Sequence, residues 1–332
     1  MEQPHDTPLV SIVINNFNYG RYLGDAIASA LAQTHPRTEV VVVDDGSTDC
    51  SRDVIAGHGD RVIAVLKENG GQGSAVNAGF AACSGAIVNF LDADDLLEAD
   101  AAARAAAALA ADPGLSQWMA PLWMVDADGR PKGGILPGHP LPHGELGRRL
   151  LAFGPWAHQV VPTSGNFWSR AYLERVLPMP AERFRIGADE YLYSLAGLHG
   201  RIASDPRPAA RYRCHGANAY WRAAAGLDDV VFDAAAFERI AATLAEHAAR
   251  LGLQADPEAW TGRDWRQQVR RVVLNRAGRR PDRPAADAVL GAVWRDQTRP
   301  TRKAILFPAV AVLLAAPPGL AVGLGLRLLG RR

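Results

Sequence analysis

The stretch Val40-Val41-Val42-Val43-Asp44-Asp45-Gly46-Ser47 decides how this chain is read. A short, unbroken β-branched run that stops at two acids and a turn is the pattern of a parallel strand buried on both faces. The pattern recurs at Ile87-Val88-Asn89-Phe90-Leu91, which runs into Asp92-Ala93-Asp94-Asp95. In open α/β sheets ligands bind beyond the carboxyl ends of such strands. Two acidic loops at neighbouring strand ends crowd negative charge into one crevice, which is costly unless a cation neutralises it. The sequence therefore predicts a divalent-metal site whose natural partner is a phosphorylated substrate.

Outward from these runs, strands and helices alternate. Leu9 to Ile14 reads as a strand, Tyr22 to Gln33 as a helix with Leu23, Ile27, Ala30 and Leu31 on one face, and a further helix follows from about Asp49. Arg61 to Leu66 reads as a strand. The turn Asn69-Gly70-Gly71-Gln72-Gly73 opens a helix from Ser74 to about Ala82, and Ala99 to Ala111 is a helix by propensity. This alternation implies a mostly parallel sheet with right-handed crossovers. Beyond Asp112-Pro113-Gly114 the pattern loosens. Gln117 to Val125 reads as one strand turning at Asp126-Ala127-Asp128-Gly129, and residues 131–148 read as an irregular loop. Arg170 to Val176 and Glu190 to Leu198 read as helices, and Ala209 to Arg213 as a short strand. Phe237, Ile240, Leu244 and Leu251 mark an amphipathic helix over 233–251. Residues 255–300 are charged, with scattered Trp and Pro.

Composition bounds the function classes. The chain has 332 residues, 48% hydrophobic, enough for a real core and about two domains, or one α/β domain with appendages. A formal net charge of +1 gives no global pull toward nucleic acid, and no nucleic-acid partner is expected. Cys50, Cys83 and Cys214 are too few and too scattered for a disulfide framework or a thiolate metal site. Met1 to Pro8 lacks the apolar core of a secretion signal, so the bulk of the protein is expected in the cytoplasm.

From Ala304 to Leu326 a run of about 23 residues carries no charge. Pro308, Pro317-Pro318, Gly319, Gly323 and Gly325 interrupt it. Arg299, Arg302 and Lys303 precede it, and Arg327, Arg331 and Arg332 follow it. Basic flanks on both sides fix no orientation. They suit a bent hairpin dipping into the cytosolic leaflet, its Pro-Pro-Gly making the turn. The other reading is a helical hairpin buried on the globular body.

The order of motifs is specific. Val10-Ser11-Ile12-Val13-Ile14-Asn15-Asn16-Phe17-Asn18-Tyr19 is followed by Arg21-Tyr22-Leu23 and Ser29-Ala30-Leu31-Ala32-Gln33-Thr34. Then come Val42 to Asp49, Asn69 to Ala75 with Asn77-Ala78-Gly79, and Leu91 to Asp95. This series closely resembles the family-2 glycosyltransferases of the GT-A fold, strongly over residues 8–100 and more weakly to about 220. The usual Pro-Thr or Pro-Ala after the first strand is Asn15-Asn16 here. The resemblance implies an α/β, GT-A-like fold: a Rossmann-type, mostly parallel central sheet flanked by helices, with a helical C-terminal extension. Residues 1–115 would form the nucleotide-sugar half, 116–220 the acceptor half, 221–303 the extension and 304–332 a membrane-associated tail.

It also implies roles. Asp45 would accept from the uracil imide N–H, and Asn15, Asn69 and Asp92 would contact the nucleotide-sugar, which UDP fits best. Asp44 would brace the turn or touch ligand. Asp92-Ala93-Asp94 is the DxD element, with Asp94 on Mn²⁺ or Mg²⁺, Asp92 on ribose or metal, and Asp95 in support. His215, in Tyr212-Arg213-Cys214-His215, would be a further metal ligand or a diphosphate contact, or else a structural hydrogen-bonder. Arg211 and Arg213 would offset diphosphate charge or line an exposed strand face. Asp189, with Glu190 as its rival, would be the catalytic base, the plainer reading being a helix cap. Asn166 and Trp168 would meet the acceptor, a glycan or lipid-linked hydroxyl, and Trp168 or Trp156 would stack on a sugar, unless these indoles are core. The expected reaction is inverting sugar transfer. A nucleotidyltransferase and a non-catalytic nucleotide-sugar-binding scaffold are the alternatives.

Overall fold

The computed structural model describes residues 7–216, 218, 226–281, 284–295 and 300–329, with only the backbone of 295, 300–305 and 307. Met1 to Asp6, Arg299, Arg331, Arg332 and the expected boundary at 220/221 lie outside the described residues. The chain divides into two compact units, Met1–Gly147 with His158–His215, and Arg148–Ala157 with Gly216–Arg332.

The first unit begins with β1 (Val10–Asn16), α1 (Gly20–Leu31), β2 (Thr38–Asp45), α2 (Ser51–Gly57), β3 (Ile63–Lys67), α3 (Gln72–Ala82), β4 (Ile87–Asp92), β5 (Leu96–Leu97) and α4 (Ala101–Ala111). It continues with β6 (Leu115–Met119), β7 (Leu122–Val125) and β8 (Pro131–Leu136). After α5 (Gly147–Phe153), which falls mostly in the second unit, come β9 (Asn166–Ser169), α6 (Arg170–Val176), α7 (Ala188–His199), β10 (Arg201–Ser204) and β11 (Ala210–Arg213).

Among the described residues these strands form a seven-stranded sheet, ordered β10-β6-β9-β4-β1-β2-β3, and a four-stranded sheet, ordered β5-β11-β7-β8. In the larger sheet only β9 runs antiparallel, to β4 and to β6. The sheet is mostly parallel, as the alternation predicts. Ile12, Val13, Ile14, Val41, Val42 and Val43 are fully buried. Removing each such side chain from water contributes about 1.5–3 kcal/mol. The helix α3 lies directly on this floor, because a Cβ at Gly79 would collide with Val13 and Val43.

Two expectations are corrected. Residues 117–125 are two strands, because Ala120-Pro121 ends β6 before β7 enters the smaller sheet. Residues 131–148 are not loop throughout, since β8 pairs with β7, Ile135 opposite Trp123. The C-terminal extension is helical as expected, with α9 (Pro257–Arg263), α10 (Trp265–Arg276) and α11 (Ala286–Arg295) following α8 (Leu227–Arg250).

The apolar run forms α12 (Pro300–Ala315) and α13 (Pro318–Leu329), a hairpin that turns at Pro317. Val310, Leu313 and Ala321 pack into one cluster with Val269, Val272 and Val273 of α10 and Val289 and Val293 of α11. The inner face of the hairpin is thus core. No helix among the described residues is long and apolar enough to cross a membrane.

Candidate active site

The carboxyl ends of β4, β1 and β2 are adjacent, with Asp92 level with Asn15, and Asn16 level with Asp44. On β2 the two acids divide the work. Asp44 is fully buried and accepts from Asn16 Nδ2 at 3.0 Å, Ser47 N at 3.2 Å and Arg52 Nε at 3.0 Å. It braces the turn. Asp45 accepts from Lys67 Nζ at 2.5 Å, Gly70 N at 2.9 Å and Gly71 N at 2.7 Å. Asn69 Nδ2 donates to the Asp45 carbonyl at 3.0 Å, so the Gly-rich turn is tied to the strand end. Gly46 has a positive φ of 82°, and a Cβ there would strike the Asn69 backbone. On β1, Asn15 Oδ1 is buried without a hydrogen-bond partner, and is therefore open to an N–H of a ligand.

The second acidic loop bends as two converging acids require. Asp95 N donates to the Asp92 carbonyl at 3.0 Å. The Asp95 carboxylate accepts from Ser164 Oγ at 2.7 Å and Arg213 N at 3.0 Å, which makes it the loop's internal brace. That leaves Asp94 facing His215, whose Nε2 lies 2.8 Å from Asp94 Oδ2. The imidazole stacks on Tyr22, centroids 4.9 Å apart, and meets Tyr19 edge-on at 5.6 Å.

Arg213 does not serve a diphosphate. Its side chain is 3% exposed, and it donates to the Asp94 carbonyl, the Ala127 carbonyl and Asp25 Oδ2. Arg211 is taken by Glu98, Nε to Oε1 at 2.8 Å.

The candidate base arrives from α7. Gln72 N and Gly73 N, at the start of α3, donate to the Arg185 and Phe184 carbonyls at 2.9 Å, and Gln72 Oε1 accepts from Gly187 N at 2.7 Å. These bonds seat the start of α7 on the Gly-rich turn. Gly187 occupies the N-cap position, and Asp189 in the first turn accepts from Glu190 N at 2.9 Å through Oδ1. The Thr163 hydroxyl lies beside both Asp92 and Asp189 and has one proton to give to either.

Burial pushes Asp92 and Asp95 well above the usual carboxylate range and raises Asp189; for Asp92 the neighbouring Asp94 and Asp189 add to it, and for Asp95 Asp94 and Asp92 do. Burial and the charges of Asp94 and Asp92 push the Tyr19 hydroxyl up to about 12. The crevice thus holds more negative charge than it can keep ionised, as expected of a cation site.

Among the described residues no three or more His, Cys, Asp or Glu side chains form a ready metal cluster. Asp94 and His215 fit a cation that takes its remaining ligands from substrate phosphate and water. Asn166 and Trp168 are placed elsewhere. Asn166 is fully buried, donating to the Pro162 and Thr163 carbonyls and accepting from Gln117, and Trp168 is 1% exposed within the sheet. The Trp168 indole offers no face to a sugar. Tyr22 lies within the Arg21-Tyr22-Leu23 motif segment, while Thr163 and Ser164, just ahead of the expected acceptor residue Asn166, have no role that their types alone announce.

Comparison with known proteins agrees with this architecture. The profile described as glycosyl transferase family 2 matches residues 11–137. An uncharacterized glycosyltransferase of Nostoc sp. is 37% identical over 225 residues, covering 66% of this chain and 69% of that protein. The chain belongs to glycosyl transferase family 2. Shorter matches include the chondroitin synthase of Pasteurella multocida, 43% identical over 29% of this chain and 10% of that protein. Among solved structures, residues 1–349 of S. aureus TarS in complex with UDP share the fold, with a TM-score of 0.56 at 17% identity over 96% of this chain and 90% of that one. The mannosyltransferase PcManGT of Pyrobaculum calidifontis, in complex with GDP-Man and Mn²⁺, has a TM-score of 0.50 at 19% identity over 96% and 84% of the two chains. This family-2 glycosyltransferase therefore has a GT-A-like fold and acts on a nucleotide-sugar donor.

Proposed function

We propose that the enzyme moves one sugar from a UDP-sugar to a hydroxyl of a glycan or lipid-linked acceptor, with inversion at the anomeric carbon. The observation that carries this reading is the seating of the start of α7 on the Gly-rich turn, which brings Asp189 within electrostatic reach of Asp92.

The uracil and ribose would lie over Asn15, Asp45 and Asn69. The unpartnered Asn15 Oδ1 supplies an acceptor there, and the bonds to Asp45 prearrange its carboxylate. Asp92 would take the ribose or the cation. A divalent ion held by Asp94 and His215, Mn²⁺ or Mg²⁺, would supply positive charge against the departing diphosphate. Asp189, made more basic by burial, accepts the acceptor's hydroxyl proton as the new glycosidic bond forms and the bond to the diphosphate oxygen breaks. The anomeric carbon passes through an oxocarbenium-like state, as in other glycosyl chemistry. The rival base Glu190 follows Asp189 directly and is buried within α7.

The deciding experiment incubates the full chain with UDP-, GDP- and dTDP-sugars, with and without Mn²⁺, for wild type and Asp189→Asn. Metal-dependent turnover of a UDP-sugar that Asp189→Asn loses while still binding donor supports the reading. Turnover that survives the substitution removes Asp189 from its role, and turnover of another nucleotide-sugar alone removes UDP.

The C-terminal hairpin adds a partner to this proposal. Its outer surface stays apolar, with Val312 56% and Leu320 59% exposed, and Trp294 of α11 is 69% exposed. Beyond Asp296 every charged side chain in the sequence is basic. An apolar face with basic flanks suits the surface of an anionic leaflet on the cytoplasmic side. Co-sedimentation with anionic vesicles, lost in Val312→Asp with Leu320→Asp, is the expected result; equal pelleting of the double variant would remove the membrane from the proposal.

A further inference from the structure

We propose that a cavity in the helical unit binds an oxyanion, a carboxylate or a phosphate. The cavity has a volume of about 510 Å³, within the range of small-ligand sites and far beyond what one water fills. Three helix faces build it. Gln267, Arg270 and Arg271 project from α10 at the i, i+3, i+4 spacing that shares one face; Phe237 and Glu238 come from α8; Glu258 and Thr261 come from α9.

Its polar atoms are not balanced. Arg270 is 5% exposed and packs over the Trp156 ring at 5.1 Å. Its Nη2 donates to Asp233 Oδ2 at 2.7 Å, but Nε and Nη1 are buried with no hydrogen-bond partner. Gln267 is 3% exposed and its Nε2 is likewise buried and unpartnered. All three orphaned atoms are donors. A buried donor without an acceptor is a standing penalty, and an oxyanion entering the cavity removes it as these side chains turn to meet its oxygens.

The nearby acids do not fill that role. Asp233 already holds Nη2 of Arg270, Glu238 is paired with Arg280 at 2.7 Å, and Glu258 is exposed. A cationic or wholly apolar ligand would leave the donors as they are. Oxyanion binding here does not depend on the sugar-transfer reading, in which the donor is held by Asn15, Asp45 and Asp94.

The test titrates the full chain with glucuronate, inorganic phosphate and uncharged glucose, following saturation by calorimetry, with UDP binding and thermal midpoint recorded on the same samples. Saturable binding of glucuronate, phosphate or both, with none of glucose, is expected; the better probe identifies the carboxylate or the phosphate as the natural group. Gln267→Met, which keeps volume and removes the donor, should weaken that binding tenfold or more while leaving UDP binding and the thermal midpoint in place. Arg270→Gln should weaken it further, and Gln267→Met decides the matter if Arg270→Gln fails to fold. No saturable binding of either charged probe, equal binding of glucose, or undiminished binding by Gln267→Met would overturn the proposal. Each of those results with UDP binding intact leaves the donor reading standing, whereas loss of UDP binding alone tells against the donor reading and not this site.

Discussion

His215 Nε2 lies 2.8 Å from Asp94 Oδ2, although the two residues stand 121 positions apart in the chain. The contact joins the loop after β4 to the residues that follow β11, the last strand of the first unit. Asp94→Asn should therefore weaken Mn²⁺ or Mg²⁺ activation strongly, and His215→Ala should do so with the fold intact. Tyr22→Leu, which removes the ring stacked on the imidazole, is expected to lower metal affinity by about 10–100-fold, as loss of a ligand-orienting partner does. Metal titrations of initial rate, with EDTA as the zero point, check all three.

For Asp189→Asn we expect a fall in kcat on the order of 10²–10⁴-fold, the usual contribution of a placed base, with the donor Kd little changed. Thr163→Val removes the hydroxyl that lies beside both Asp92 and Asp189. It should lower kcat less than Asp189→Asn does and alter the pH profile of the rate, which a purely structural residue would leave in shape.

Acid stability follows from Glu39 and Asp44. Burial alone would raise both, but hydrogen bonds more than offset it: Ser11, Ser84 and Gly85 donate to Glu39, and Ser47, Arg52 and Asn16 donate to Asp44. Both folded-state values therefore lie below the ordinary 4.5 and 3.8. A carboxylate lowered in the folded state adds stability above its unfolded value and loses it as pH falls through the folded one. The stability that Glu39 and Asp44 contribute should be complete above about pH 5 and lost below it, and Glu39→Gln should show a smaller acid-side fall in thermal midpoint than wild type.

The hairpin offers an internal comparison. Leu313 is fully buried against α10 and α11, while Val312, its neighbour on α12, faces outward. Leu313→Ala should cost about 2–5 kcal/mol and Val312→Ala within about 0.5 kcal/mol in denaturant unfolding. Equal effects would mean the hairpin is not docked as described.

What could be read from the sequence was whatever the chain encodes locally. The Val40 to Val43 and Ile87 to Leu91 runs announce central strands because both faces are buried, so no polar alternation interrupts them. Pro131 and Gly133-Gly134 look like loop, and only the ladder to β7 makes a strand of them. In α10 the apolar positions Val269, Val272 and Val273 do keep helical spacing, but the surrounding arginines hid it. At the site, Asp94, His215 and Asp189 were singled out by motif order. Trp168 was taken for an acceptor platform because an indole's type does not tell which face of a sheet it occupies; β9 places it in the interior. Thr163 had no such signal, since its importance lies in two partners that only folding brings to it.

The two-residue strand β5 pairs antiparallel with β11, Leu97 opposite Ala210 and Leu96 opposite Arg211. It leaves the DxD loop on one side while β11 leads to His215 on the other. Main-chain bonds of this kind are indifferent to which side chains they carry. Of the four positions, Leu97 and Ala210 are buried, so change is freest at Leu96 and Arg211, where the ladder keeps the span between Asp94 and His215 whatever side chain it carries.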